Sequence, residues 1–214
     1  MSVVIEVAVR RPADPAAQPG QPLLLFLHGF GSHEGDLAGL ASFLPNRFDW
    51  VSLRAPIGIS ASGFAWFPIT TPGQPEPAPV HDATEAVLQW LDSNVDESTP
   101  VVPIGFSQGG LMVTQLLRHS PARFAAGVVL SGFSLDAVLP GDEELARLRP
   151  PVFFGRGDAD GVISPQTTAR ITTWLPAHST LTEKVYPGLA HSISAEELGD
   201  ISAFLDEAVP TTDA

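Results

Sequence analysis

The strongest constraint on the fold is the alternation of short apolar segments with longer segments in which apolar residues recur at helical spacing. Such alternation is typical of repeated strand–helix units. It predicts an α/β domain with a mainly parallel sheet of about seven strands flanked by helices. The predicted strands cover residues 2–9, 23–28, 48–53, 101–105, 126–131, 151–155 and 180–186, and the predicted helices cover residues 35–44, 81–95, 108–118, 165–175 and 194–208.

The length of 214 residues and the balance of 44% hydrophobic and 16% charged residues fit one packed domain. We expect a single domain over residues 1–209 and a flexible tail over residues 210–214. The proline-rich segment 55–79 is interpreted as a packed loop that borders the functional site.

The net charge of −13 disfavours nucleic acids and anionic membrane surfaces as partners. The chain has no cysteine, which excludes a thiolate nucleophile and cysteine-ligated metal. No apolar stretch reaches the roughly 18 residues of a membrane span, and the first residues do not resemble a signal peptide. We therefore expect a cytoplasmic protein without stable membrane insertion, and its sequence is compatible with a homodimer.

The pentapeptide Gly105-Phe106-Ser107-Gln108-Gly109 lies between a predicted strand and a predicted helix. Glycines two positions on either side of a serine allow a sharp turn that exposes the hydroxyl, because backbones without Cβ atoms can pass closely. The alternative is an ordinary Gly/Ser turn, but the flanking strand and helix favour a nucleophile elbow. Ser107 is the predicted nucleophile.

A serine nucleophile needs a base, and the base needs an acidic group to orient it. In an α/β architecture with a serine at such an elbow, the acid and the histidine follow the serine in that order, each after a strand. His191 follows the predicted strand 180–186, and Asp158 and Asp160 follow the predicted strand 151–155. We favour Asp160 over Asp158, since a carboxylate early in a turn usually caps backbone amides.

The remaining loop and helix histidines lack this strand-end setting, and we interpret them as surface or structural residues. They are His33, His81, His119 and His178. No pair of them has the sequence spacing of metal ligands, so no metal site is predicted.

Ester cleavage also requires N–H donors for the developing oxyanion. The backbone N–H of Gln108, directly after the nucleophile, is one predicted donor. The glycine-rich segment 28–32 follows the second predicted strand, and we choose the Phe30 N–H as the other donor. The alternative for this segment is a simple turn into a helix.

Six motifs, in this order along the chain, resemble the phospholipase/carboxylesterase family of α/β hydrolases, which includes the acyl-protein thioesterases. They are Leu27-His28-Gly29-Phe30-Gly31, Arg54-Ala55-Pro56, Trp66-Phe67, Gly105-Phe106-Ser107-Gln108-Gly109-Gly110, Gly157-Asp158-Ala159-Asp160 and Ala190-His191-Ser192. The resemblance implies a triad of Ser107, Asp160 and His191, oxyanion donors at Phe30 and Gln108, no cap domain and no cofactor. Residues 31–37 look closer to bacterial esterases, so protein deacylation is the less expected activity.

Large apolar side chains are predicted on the loops around Ser107, where they would favour an uncharged acyl group. They are Phe30, Phe64, Trp66, Phe67, Phe133 and Leu135. For Trp66 and Phe67 a core position is an equal alternative. The sequence predicts a serine carboxylesterase for short- to medium-chain esters, with lysophospholipids and thioesters as further substrates. An acyltransferase with the same triad and a non-catalytic binding module are the alternatives.

Overall fold

The computed structural model describes residues 3–11 and 21–210. The strands are β1 Ala8–Arg10, β2 Leu23–Leu27, β3 Asp49–Leu53, β4 Ile57–Gly58, β5 Phe64–Ala65, β6 Val101–Phe106, β7 Gly127–Leu130, β8 Pro151–Gly157 and β9 Thr180–Tyr186. The α-helices are α1 Gly35–Ala38, α2 Pro77–Asn94, α3 Gln108–His119, α4 Asp142–Leu148, α5 Pro165–His178 and α6 Ala195–Ala208. Short 3-10 helices cover Gly39–Phe43 and Pro121–Arg123.

Seven of the strands form one sheet in the order β1-β3-β2-β6-β7-β8-β9. Only the pairing of β1 with β3 is antiparallel, so the mainly parallel sheet predicted from the sequence is confirmed. The chain adds β3 on one side of β2 and later returns to place β6 on the other side. Such a reversal of strand order opens a crevice at the carboxyl ends of the two strands, where ligands bind in open α/β sheets.

The central strands are apolar because helices cover both faces of the sheet. Along β2, Leu25 and Leu27 belong to the core that also contains residues of α2, α3 and α5, whereas Leu24 and Phe26 belong to the core that contains residues of α1 and α6. This alternation follows from the two-residue period of side chains along a strand. The two resulting cores hold the strand ends, and therefore the loops that follow them, in fixed relative positions.

The first strand is shorter than predicted. Its predicted range begins at residue 2, outside the described residues, whereas β1 covers only Ala8–Arg10 and pairs with β3. Val7 still accepts a backbone hydrogen bond from Arg54, but β3 has ended by then and Pro56 follows closely. Proline has no N–H for a ladder, so the preceding residues of the first segment find no partner strand.

Three helical predictions needed correction. The predicted helix 35–44 is a four-residue α-helix that continues as a 3-10 helix. The helix predicted from residue 81 begins at Pro77, since proline is tolerated in the first turn, where its missing N–H would have no helical partner. Helix α4 was not predicted, although Asp142, Glu143 and Glu144 in its first turn suit a helix N-terminus.

Between β7 and β8 the only α-helix is α4, seven residues long, so no cap domain is inserted there, as expected. Segment 55–79 contains the small β4–β5 ribbon and the start of α2. Among the described residues, no helix combines the length and apolar character needed to cross a membrane. Of the predicted tail 210–214, only Pro210 belongs to the described residues.

Candidate active site

Ser107 lies at the turn between β6 and α3 with φ 55° and ψ −113°, an unusual conformation for a residue with a side chain. The turn is possible because the neighbouring glycines have no Cβ. A Cβ on Gly105 would lie 2.1 Å from the Gly109 carbonyl oxygen, and one on Gly109 would lie 1.8 Å from that of Leu27. The Ser107 N–H donates to the Leu130 carbonyl at 2.9 Å. The residue therefore has the backbone geometry of a nucleophile elbow.

His191 follows β9 and forms a hydrogen bond with Asp160, which follows β8. The distance between His191 Nδ1 and Asp160 Oδ2 is 2.7 Å. The other carboxylate oxygen of Asp160 accepts the backbone N–H groups of Val162 and Ile163 at 2.8 and 3.1 Å. Asp158 instead accepts the Gly188 N–H at 2.6 Å. Of the two acidic residues considered from the sequence, Asp160 is the one in contact with the imidazole.

The surroundings of Asp160 favour its ionised form. Burial raises the pKa of this carboxyl group, but the hydrogen bonds from His191 and from the two backbone N–H groups of its own loop outweigh burial. Its pKa therefore lies below the ordinary value for aspartic acid. An ionised Asp160 can only accept a hydrogen bond, so His191 Nδ1 carries the proton and donates it to this bond. In the neutral ring the lone pair is then on Nε2, which is available as a base.

The imidazole of His191 lies beside the elbow. Its ring centroid is 4.7 Å from that of Phe106, the residue before Ser107. Within the described part of the chain, no hydrogen bond joins the Ser107 hydroxyl to His191. Such bonds are often long in the absence of substrate and shorten when it binds. The structure thus brings Asp160 and His191 into direct contact and packs the imidazole against the residue that precedes Ser107.

The residues of the two predicted oxyanion donors, Phe30 and Gln108, line the same cavity as Ser107. Within residues 3–11 and 21–210, neither the Phe30 N–H nor the Gln108 N–H has a hydrogen-bond partner. The loop that carries Phe30 is held by its neighbour Gly31, whose N–H donates to the Phe64 carbonyl at 2.9 Å. Both backbone donors therefore remain available to a substrate oxygen.

The side chain of Gln108 has a role that the sequence analysis missed. Its Oε1 accepts the Trp66 backbone N–H and its Nε2 donates to the Phe67 carbonyl, both at 2.8 Å. Gln108 is almost completely buried, with 2% of its surface exposed. The available signal was a glutamine at the start of a helix whose next five residues, 109–113, are glycine or apolar. The amide side chain fixes the loop after β5 to the nucleophile elbow.

His28 fixes the same loop from the other side. The indole Nε1 of Trp66 donates to the His28 carbonyl at 2.8 Å, and the His28 Nε2 accepts the Ala55 N–H at 3.0 Å. Burial lowers the pKa of His28, which favours the neutral imidazole, and its Nδ1 then donates to the Gly29 carbonyl at 2.8 Å. The loop that carries Phe30, the loop that carries Trp66 and the elbow at Ser107 are thereby connected by buried hydrogen bonds.

A cavity of about 240 Å³ opens at Ser107. Its lining includes three of the six predicted substrate-contact residues, Phe30, Phe67 and Phe133, together with Ile69, Val162 and Ile163, which the sequence analysis did not name. Val162 and Ile163 belong to the loop of Asp160, from which only Gly161 separates them, so this loop also forms part of the apolar wall.

The other three predicted contacts do not line this cavity. Trp66 is 1% exposed and packs in the core, which agrees with the alternative considered for it. The ring of Phe64 lies 4.5 Å from the guanidinium of Arg54, which is paired with Glu34. Leu135, in the segment of chain that connects β7 to α4, is buried. The prediction that these three side chains contact the substrate is therefore not supported by the lining of the Ser107 cavity.

A larger cavity of about 490 Å³ lies on the α5 side of the Asp160 loop. Its lining includes Arg156, Asp158 and Thr172 and does not include Ser107. Because a substrate must contact the nucleophile, the smaller apolar cavity is the better candidate for the acyl group.

Comparison with known proteins identifies the family of this chain. The family model "Phospholipase/Carboxylesterase" matches residues 9–209. Acyl-protein thioesterase 1 of Debaryomyces hansenii is 29% identical over 89% of this chain and 93% of its own length. Carboxylesterase SOBER1 of Arabidopsis thaliana is 26% identical over 85% of this chain and 88% of its own.

Among solved structures, the carboxylesterase of Bacillus cereus superposes with a TM-score of 0.81 at 22% identity, covering 94% of this chain and 93% of its own. At this identity the likeness concerns the fold, whereas the family match extends over nearly the whole sequence. The chain therefore belongs to the phospholipase/carboxylesterase family of α/β hydrolases.

Proposed function

We propose that Ser107, His191 and Asp160 are the catalytic triad of this carboxylic ester hydrolase, and that the N–H groups of Phe30 and Gln108 form its oxyanion hole. The observation that carries the proposal is the 2.7 Å hydrogen bond between Asp160 and His191. It joins two loops at the strand ends where Ser107 occupies its strained turn.

In the proposed reaction, Ser107 Oγ attacks the carbonyl carbon of the ester while His191 Nε2 takes the hydroxyl proton. The carbonyl oxygen becomes an oxyanion that the two backbone N–H groups stabilise. When the bond to the leaving group breaks, His191 returns the proton to the departing alcohol or thiol. Water then attacks the acyl-enzyme with His191 again as base, which releases the carboxylic acid and restores Ser107.

The Ser107→Ala variant tests the role of the nucleophile. We expect kcat to fall roughly 10⁴-fold or more, and a fluorophosphonate probe to label the unchanged enzyme only at Ser107. Ser131→Ala is the matched control. Ser131 also directly follows a strand of the sheet and has a positive φ of 44°, but it does not line the Ser107 cavity. Labelling at another residue, or near-normal activity of Ser107→Ala, would contradict the proposal.

We further propose that the preferred acyl group is uncharged and of short to medium length. The cavity at Ser107 measures about 240 Å³, and pockets for drug-sized ligands typically measure about 300–1,000 Å³. Its walls are largely aromatic and aliphatic. Across p-nitrophenyl acetate, butyrate, octanoate and palmitate, we expect kcat/KM to peak at butyrate or octanoate and to be about tenfold lower or more for palmitate. A flat profile contradicts this preference.

Thioester hydrolysis is a second candidate activity, favoured by the similarity to a protein named acyl-protein thioesterase. The triad chemistry is the same, because a thiolate leaves at least as readily as an alkoxide. Octanoyl esters of p-nitrophenol and of p-nitrothiophenol form a matched pair for this question. A thioester kcat/KM equal to or above that of the ester supports the activity, and a much lower value counts against it.

The location and the oligomeric state are also proposals. The absence of cysteine and the net charge of −13 support a cytoplasmic location without nucleic-acid partners. For the oligomeric state we propose a homodimer, and the alternative in the test is a monomer. Cell fractionation and size-exclusion chromatography with light scattering measure the two properties directly.

A further inference from the structure

Three side chains with metal-binding groups meet on the surface between α2 and α3. His81 and Glu85 lie one turn apart on α2, and His119 is the last residue of α3. The distance between His81 Nδ1 and His119 Nε2 is 3.1 Å. One potential ligand atom from each residue lies within 4.8 Å of those of the other two. Two imidazoles and one carboxylate therefore point at a common position.

The spacing of the two nitrogen atoms fits a shared metal ion. Two nitrogens bound to tetrahedral Zn²⁺ at about 2.05 Å are about 3.3 Å apart, close to the observed 3.1 Å. Imidazole and carboxylate donors suit Zn²⁺ and its neighbours in the first transition row, whereas Mg²⁺ and Ca²⁺ prefer oxygen ligands alone. The donor set thus selects the class of ion.

The orientation of His119 strengthens this interpretation. The carbonyl of Gln115 lies 2.9 Å from His119 Nδ1 and can only accept a hydrogen bond, so Nδ1 carries the proton. The lone pair of the neutral ring is then on Nε2, the atom that faces His81. A backbone carbonyl that fixes the tautomer of a ligand histidine is a common feature of metal sites.

We propose that His81, Glu85 and His119 bind Zn²⁺, with water completing the coordination, and that the ion stabilises the packing of α2 against α3. Ser107 precedes α3 and His119 ends it, so about 18 Å of helix separates the proposed nucleophile from this metal ligand. The site is therefore structural and independent of the ester chemistry. The sequence spacing did not reveal it, because His81 and His119 are 38 residues apart.

The test is a titration of the chelator-treated protein with Zn²⁺, in which calorimetry measures binding and thermal unfolding measures Tm. We expect one saturable site, and at a free Zn²⁺ concentration of about 100 times Kd we expect Tm to rise by roughly 5–10 °C. His81→Ala and His119→Ala should each weaken binding at least tenfold.

His178→Ala is the matched control. His178 also ends a helix, is half-buried, and has its Nδ1 2.8 Å from the carbonyl four residues earlier, that of Trp174, but it is not part of the cluster. This variant should keep the Zn²⁺ affinity and the Zn²⁺-dependent Tm rise. The proposal is wrong if the unchanged protein shows no saturable Zn²⁺ binding. In that case the contact between His81 and His119 is only a hydrogen bond between two imidazoles. The proposal is equally wrong if the His81→Ala/His119→Ala double variant binds Zn²⁺ as before.

Discussion

Asp158 and Asp160 are separated by one residue, yet their carboxylates have different partners. Asp158 binds a backbone N–H of the loop after β9, whereas Asp160 binds the imidazole of His191. The first contact holds the position of the loop, and the second orients a base. Asp158 therefore has a structural role, and Asp160 has the proposed catalytic one.

Replacing each aspartate by asparagine distinguishes these roles. Asp160→Asn should lower kcat about 10³–10⁴-fold, because an amide can donate to His191 and favour the wrong tautomer. Asp158→Asn should keep kcat near that of the unchanged enzyme, since its amide oxygen can still accept the Gly188 N–H. Steady-state kinetics on p-nitrophenyl butyrate measures both, and equal losses would show that the assignment of the acid is wrong.

At the scale of elements, the packing of α3 against β2 and β6 depends on glycine. Gly109, in the first turn of α3, lies so close to β2 that a Cβ would overlap the Leu27 carbonyl oxygen at 1.8 Å. Backbone atoms on both sides cannot move aside as a flexible side chain could. The helix therefore approaches the sheet as closely as it does because position 109 carries no side chain.

Gly109→Ala should lower the free energy of unfolding by about 3 kcal/mol or more, since the overlap forces the helix away from the sheet. Gly199→Ala is the matched comparison, because Gly199 lies within α6 and a Cβ there would meet no atom within 4 Å. That variant should gain about 0.5–1 kcal/mol from the lower backbone entropy of alanine. Urea unfolding measures both changes, and similar values for the two variants would contradict this account.

At the scale of the whole molecule, a buried carboxyl group couples stability to pH. Glu197 on α6 faces the sheet, 1% exposed, and its Oε1 occupies the space beside Gly155 of β8. Burial raises the pKa of Glu197 to about 7, the charge of Asp200 adds to this effect, and the Ser194 backbone N–H opposes it. The folded protein thus holds this proton more tightly than the unfolded chain does.

Because the ordinary pKa of 4.5 is below the folded value of about 7, the Glu197 contribution to stability is complete below about pH 4.5. It is lost as pH rises through about 7. Glu197→Gln should remove this loss, so the variant should gain on the order of 2–3 kcal/mol relative to the unchanged protein between pH 5 and pH 8. Urea unfolding at several pH values measures the difference. Glu196→Gln, on the exposed neighbour, should show no such trend, and a pH-independent difference for Glu197→Gln would contradict the prediction.

Much of the architecture could be predicted from local sequence patterns. The predicted bounds lie within four residues of the observed ones for six of the seven strands of the main sheet, β1 excepted, and for α2, α3, α5 and α6. Apolar periodicity reports which faces are buried, and it therefore locates these elements. The predictions were wrong where a proline or a short segment determines the structure. Examples are the start of α2 at Pro77 and the seven-residue helix α4.

The sequence by itself determined the class of fold, the strained turn at Ser107 and the strand-end loops that carry Asp160 and His191, because each of these depends on residues close together in the chain. Only the tertiary structure decided which aromatic side chains line the cavity, how Gln108 and His28 support the loops, and that His81 meets His119. These contacts join distant segments, and their geometry depends on the order of strands in the sheet and on the packing of helices across it.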